Sequence, residues 1–143
     1  MYDYYIGIDA GTKTGFCVWR KSESQMMQIG CYPIHKAMSQ VEYWNRFAPG
    51  QVFVRLEDAR LRKWIPRQKT ESAERGRREG AGYVKSHCAI WEGFLKDLGV
   101  PYELVAPKNN KTKVKADYFA KLTGYMERTN EHMRDAAMLV VGY

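Results

Sequence analysis

Three places in the chain put acidic groups where packing alone would not. Asp9 ends a segment otherwise made of Tyr, Ile and Gly. A carboxylate at the end of a buried strand is costly without a partner. It either accepts amide hydrogen bonds from the turn at Gly11–Thr12 or binds a metal. Glu57 closes Val52-Phe53-Val54-Arg55-Leu56-Glu57. Strand alternation puts Val52, Val54 and Leu56 on one face and Phe53, Arg55 and Glu57 on the other. Asp58 follows directly and is the alternative ligand. Glu57 is preferred because it lies within the regular part of the strand, and its ordinary reading is an ion pair with Arg55 or a charged strand end in water. His132 and Asp135 stand three apart on a C-terminal helix, which puts both on one face. Met133, Ala136, Ala137, Val140 and Val141 form the opposite, apolar stripe. The ordinary reading is a helix-start Asp favoured by the dipole beside an exposed His132. Taken as a set, these oxygen ligands suit Mg²⁺, and His132 also suits Mn²⁺, as a ligand or as a base. Two such ions would activate a water and stabilise the leaving oxygen of a phosphodiester. That chemistry needs a cation near the phosphate, and Lys108, Lys111 and Lys113 are at hand.

The elements that must position these groups follow from local pattern. Residues 4–10 read as a buried strand, Gly11 to Gly15 as a turn, and 16–19 as a second strand, making a hairpin. Residues 26–31 read as a third strand. Residues 35–47 read as a helix with Val41, Trp44 and Ala48 in register, stopped at Pro49-Gly50. Residues 51–57 form a strand, and the basic stretch 60–80 a loop or arm leading into a helix. Tyr83 to Leu98 is an amphipathic helix on Val84, Cys88, Trp91 and Leu95, capped by Gly99. Val100 to Ala106 is the last strand. Thr112 to Leu122 is a helix with Val114, Tyr118 and Leu122 in register, and Asn130 caps a final helix from Glu131 to the end. This order predicts a single α/β domain, residues 1–143, on one mixed sheet flanked by helices.

Bulk composition narrows the function classes. The chain has 143 residues, 45% hydrophobic and 27% charged, as expected of one folded domain with a real core. No stretch approaches the roughly 18 apolar residues of a membrane span. The N-terminus has no basic n-region and no small-residue cleavage site, so no signal peptide is expected. Cys17, Cys31 and Cys88 are odd in number and far apart, which argues against a disulfide framework or a structural zinc site and for a reducing cytoplasm. Residues 1–59 hold six Lys/Arg and six Asp/Glu. The remaining 17 basic and 10 acidic residues lie in 60–143 and carry the whole net charge of +7. A basic half beside a neutral half points to a polyanion partner.

The motifs resemble those of the RuvC family of Holliday junction resolvases. Ile6-Gly7-Ile8-Asp9-Ala10-Gly11-Thr12-Lys13-Thr14-Gly15 is similar to that family's opening G-I-D-P-G-x-x-x-T-G, with Ala10 in place of Pro. Leu56-Glu57-Asp58 resembles its second acidic strand, and His132-Met133-Arg134-Asp135-Ala136 its closing [DH]-x-x-D-A. Val105-Ala106-Pro107 with Lys111-Thr112-Lys113-Val114 is similar to its A-P…K-[ST]-x-V segment. The resemblance spans nearly the whole chain. It implies a ribonuclease H-like fold and a homodimer with the helix around Tyr83–Leu98 near the dimer contact. It also implies symmetric paired nicks in a four-way junction, acting in the cytoplasm, at the nucleoid or, for a viral protein, in a host cell. Asp9, Glu57, His132 and Asp135 would hold Mg²⁺ or Mn²⁺, two ions per site. Lys111 would be the basic residue at the phosphate, with Lys108 and Lys113 as rivals. The segment 105–115 is shorter than in the bacterial enzymes.

Where that family carries its junction-recognition segment, this chain has a basic arm. Arg60, Arg62, Lys63, Arg67, Lys69, Arg75, Arg77 and Arg78 face only Glu71 and Glu74, with Trp64 and Ile65 between them. The bases would neutralise phosphates and Trp64 would stack where pairs are open, with Lys108 and Lys113 extending the track. The ordinary reading is a solvated helix start with Trp64 in the core. Rival functions are an actin-like ATPase domain on Asp9–Gly15, a nuclease of RNA–DNA hybrids, and a non-catalytic junction-binding module. The ATPase needs two such domains and gives His132 and Asp135 no role, so no nucleotide cofactor is expected. The hybrid nuclease would normally carry its glutamate on a helix, and a decayed site would not keep the full acid set.

Overall fold

The computed structural model describes residues 1–62, 67–107 and 113–143. Its elements are β1 (Tyr4–Asp9), β2 (Lys13–Arg20), β3 (Gln25–Pro33), α1 (Ile34–Phe47), β4 (Val52–Glu57), a 3₁₀ turn (Ala59–Leu61), α2 (Glu71–Leu98), β5 (Tyr102–Val105), α3 (Ala116–Thr123) and α4 (Glu131–Met138). The strands form one sheet in the order β3-β2-β1-β4-β5. β1 is antiparallel to β2 and β2 to β3, whereas β1–β4 and β4–β5 are parallel. The fold is therefore α/β with a mixed five-stranded sheet flanked by helices on both faces, of the ribonuclease H-like type. Among the described residues no helix is long and apolar enough to cross a membrane. All three cysteines are free.

Alternation along β1 and β4 divides the core in two. Ile6, Ile8, Val54 and Leu56 join Phe16 and Val18 of β2 on one face, where Val41 and Trp44 of α1 and Trp91 and Leu95 of α2 pack. On the other face Tyr5, Cys17 and Trp19 meet Phe119 of α3 and Ala136, Ala137 and Val140.

Several elements differ from their sequence reading. β2 runs to both sides of 16–19 because β3 pairs with it from Lys13 to Arg20 and β1 from Gly15 to Arg20. The ladder enrols Lys13 and Thr14, and the buried Thr14 hydroxyl donates to the Gly11 carbonyl at 2.9 Å. α2 begins at Glu71 rather than near Tyr83. The Thr70 hydroxyl caps it by accepting the Ala73 amide at 3.1 Å, and Glu71 and Glu74 lie in its first turn, where the dipole favours acids. In α3 the buried residue is Phe119, while Tyr118 and Leu122 face solvent. The helix is thus turned by about one residue, or 100°, from the expected stripe. α4 starts at the Asn130 cap as expected, its side chain accepting the Met133 amide at 2.9 Å, but it ends at Met138 rather than at the terminus.

Candidate active site

The parallel register of β1 and β4 sets Asp9 directly beside Glu57 at the carboxyl ends of both strands. Both lie on the face that carries α4. That helix lies with its backbone close against the sheet. A Cβ at Gly15 would run into the His132 carbonyl oxygen, and one at Gly7 into the Ala136 carbonyl oxygen. Hairpin register pairs Gly15 with Asp9 and Gly7 with Cys17. The two glycines therefore clear a bed for the α4 backbone beside the two strand-end acids. With small Ala136 and Ala137 packed on the sheet, the opposite edge of the helix brings His132 and Asp135 to Asp9 and Glu57.

His132 Nδ1 and Asp9 Oδ2 are 3.0 Å apart. Asp9 thus takes its partner from α4, not from the turn amides of Gly11 and Thr12. A cavity of about 220 Å³ is lined by Asp9, Glu57, His132 and Asp135 together with Arg62, Lys113 and Glu131. A smaller one beside it, about 70 Å³, shares Glu57, Lys113 and Asp135 and is closed by Val105, Val114, Met138 and Leu139.

The electrostatics show how crowded the carboxylates are. Burial, then the charges of Asp9 and Asp135, push Glu57 up to about 7. Burial raises Asp9, opposed by His132 and Lys113. Asp135 is raised by burial and by Asp9, opposed by Lys113. A site with these properties favours a cation. The donors, three carboxylates and an imidazole, match the chemistry of Mg²⁺ or Mn²⁺. Among the described residues no three His, Cys, Asp or Glu side chains close into a ready-made cage. The site is a cavity lined by four candidate donors that do not converge on one point in this structure.

Asp58 has a different environment from Glu57. Its side chain is only 1% exposed and accepts hydrogen bonds from the Arg60 amide and guanidinium at 2.7–3.0 Å. Burial would raise its pKa, but the Arg60 bonds outweigh it and hold the carboxyl below its usual range. Asp58 fastens the 3₁₀ turn. Arg55 does not pair with Glu57 either. Its guanidinium bonds Glu103 and the Leu139 carbonyl and stacks over Tyr143.

The basic residues fall into distinct groups. Arg62 lines the cavity. Arg60 is bonded to Asp58 and, at 2.9 Å, to Glu92, so its guanidinium already holds two carboxylates. Arg77 pairs with Glu74. Arg67, Lys69, Arg75 and Arg78 are exposed on the approach to α2 and its first turns. Lys113 pairs with Glu131. Lys63, Trp64, Lys108 and Lys111 lie outside the described residues. Sequence reasoning missed Glu131 and the two clearing glycines. Gly7 and Gly15 fall on the same face as Asp9 once the hairpin register is known, whereas Glu131, at the start of α4, reads as an ordinary first-turn acid.

No family model matches the sequence, and no curated protein matches it. Among solved structures, the chain is similar to T. thermophilus RuvC in complex with a Holliday junction substrate, with a TM-score of 0.61 and 19% identity, covering 98% of this chain and 91% of that one.

Proposed function

We propose that the protein is a divalent-metal-dependent endonuclease that resolves four-way DNA junctions. The observation that carries this reading is the meeting of Asp9 (β1), Glu57 (β4), His132 and Asp135 (α4) at one cavity beside a basic surface. The RuvC-like fold supports it, since the solved relative is a complex with junction DNA.

In this reading Asp9, Glu57, His132 and Asp135 would hold Mg²⁺ or Mn²⁺. The bound ions would supply an activated water and charge stabilisation at both the attacking and leaving oxygens. Asp9 orients the His132 ring through the Nδ1 contact, leaving Nε2 to act as ligand or as proton acceptor. Lys113 at the cavity mouth, or Lys111 two residues before it, neutralises a non-bridging phosphate oxygen. Arg62 would take the phosphate adjoining the cut, and Arg67, Lys69, Arg75 and Arg78 the backbone farther out. Arg60 and Arg77, each already bonded to carboxylates, would join the contact set only by sharing or releasing those partners. Phosphate contacts of this kind give salt-dependent binding with little base preference. Tyr83 and Ile90, exposed farther along α2, suit a homodimer contact on that helix in which each subunit nicks one strand.

The test is cleavage of a synthetic four-way junction in Mg²⁺ or Mn²⁺, beside a linear duplex and an RNA–DNA hybrid, with Asp9→Asn as control. Symmetric paired nicks in the junction alone are expected, reduced by about 10³-fold or more in Asp9→Asn with junction binding retained. Binding without cutting in either ion would make the chain a junction-binding module. Cutting of the hybrid alone would make it a different nuclease.

A further inference from the structure

One acidic residue at the cavity is left without a role by this reading. Glu131 opens α4 and lines the same cavity as the four donors. A first-turn acid is favoured by the helix dipole, and that alone would explain an isolated one. Glu131, however, is paired with Lys113, and Lys113 borders both this cavity and the smaller one beside it. Lys113 is the cation whose field reaches Asp9, Glu57 and Asp135 alike. A monovalent ammonium and a divalent ion would therefore compete for the same three carboxylates. The outcome depends on where the ammonium rests, because Coulomb repulsion between the two cations falls with their separation.

Resting on the metal-site reading above, we propose that Glu131 is a positioning residue. It parks the Lys113 ammonium at the rim of the cavity, so that a divalent ion can enter the carboxylate cluster while the lysine stays facing the incoming phosphate. Without Glu131 the flexible lysine side chain falls back among Asp9, Glu57 and Asp135 and holds the ion out. Glu131 acts here through Lys113 and makes no bond to the ion.

Mn²⁺ binding to the DNA-free protein, followed by electron paramagnetic resonance, tests this in a double-mutant cycle. Lys113→Gln should tighten Mn²⁺ binding by about three- to tenfold, and Glu131→Gln should weaken it by about as much. The double variant should match Lys113→Gln, since a tether has nothing to hold once the lysine is gone. Glu131→Asp should stay near the wild type. Equal weakening by Glu131→Gln in both backgrounds would overturn the proposal, because Glu131 would then act on the ion directly. An unchanged affinity in Glu131→Gln would also overturn it, with the metal site left standing. Failure of the wild-type chain to bind Mn²⁺ would remove the metal-site reading and this one together.

Discussion

The two faces of the sheet are built on opposite plans. Under α1 and α2 the strands present Ile6, Ile8, Phe16, Val18, Val54 and Leu56, which meet Trp91 and Leu95 in a layer of large apolar side chains. Under α4 they present Gly7, Gly15, Asp9 and Glu57, and the helix answers with Ala136 and Ala137. The first face supplies burial, since each large side chain buried there contributes roughly 1.5–3 kcal/mol. The second has a core of its own around Tyr5, Trp19 and Phe119 but gives up side-chain volume at Gly7 and Gly15 to let a helix backbone touch the strands. That close approach brings His132 and Asp135 to two strand-end acids. The candidate site thus lies on one side of the sheet only, which predicts that the opposite face can be weakened without dismantling it.

The largest loss of stability should come from the apolar face. Trp91 is fully buried, and Trp91→Ala should cost about 3–5 kcal/mol in denaturant unfolding. At temperatures where the variant is still folded, its Mn²⁺ affinity should stay close to the wild type. Strong loss of metal binding in the folded variant would mean that the two faces are coupled more tightly than their packing indicates.

Gly15→Ala should reverse that pattern. The added Cβ meets the His132 carbonyl, a backbone atom, so α4 itself must shift. The expected cost is about 1–3 kcal/mol, smaller than for Trp91→Ala, with junction cleavage falling much further than stability. Undiminished cleavage by Gly15→Ala would show that the close approach of α4 is not what assembles the site.

Asp58→Asn sharpens the distinction between neighbouring acids. It removes the charge that anchors Arg60 and should cost about 2 kcal/mol, discounted because Arg60 remains one-third exposed. The Asp58 pKa is lowered in the fold. Its contribution is therefore present above the ordinary aspartate value of about 3.9 and is lost as pH falls through the lower folded value. The variant should lack that part of the acid destabilisation in a pH series of unfolding curves. If Asp58→Asn instead kept its stability and lost cleavage, Asp58 rather than Glu57 would be the functional acid.

The sequence reading was strongest where a local rule decides the outcome. Alternation put Glu57 on the opposite face from Leu56, and Asn130 was readable as a helix cap. The order of elements announced the mixed sheet. It was weakest where partners far along the chain decide. The density of basic residues after Ala59 read as an arm, although Thr70, Glu71 and Glu74 write an ordinary helix start within it. The period of α3 was legible but its rotation was not. Val114, Tyr118 and Leu122 fit a stripe as well as Phe119 does, and only the gap over Cys17 and Trp19 selects Phe119. The clearance at Gly7 and Gly15 depends on hairpin register and on a helix more than a hundred residues away. Glu131 was passed over because one acid at a helix start needs no explanation until its partner Lys113 is seen.

The most direct test of the central claim is a crystal structure grown with Mn²⁺, read by anomalous scattering. Manganese is expected in the cavity between Asp9, Glu57 and α4, with those two carboxylates and Asp135 as oxygen ligands. A strong manganese signal bound elsewhere, or none while the four side chains keep their present contacts, would contradict it.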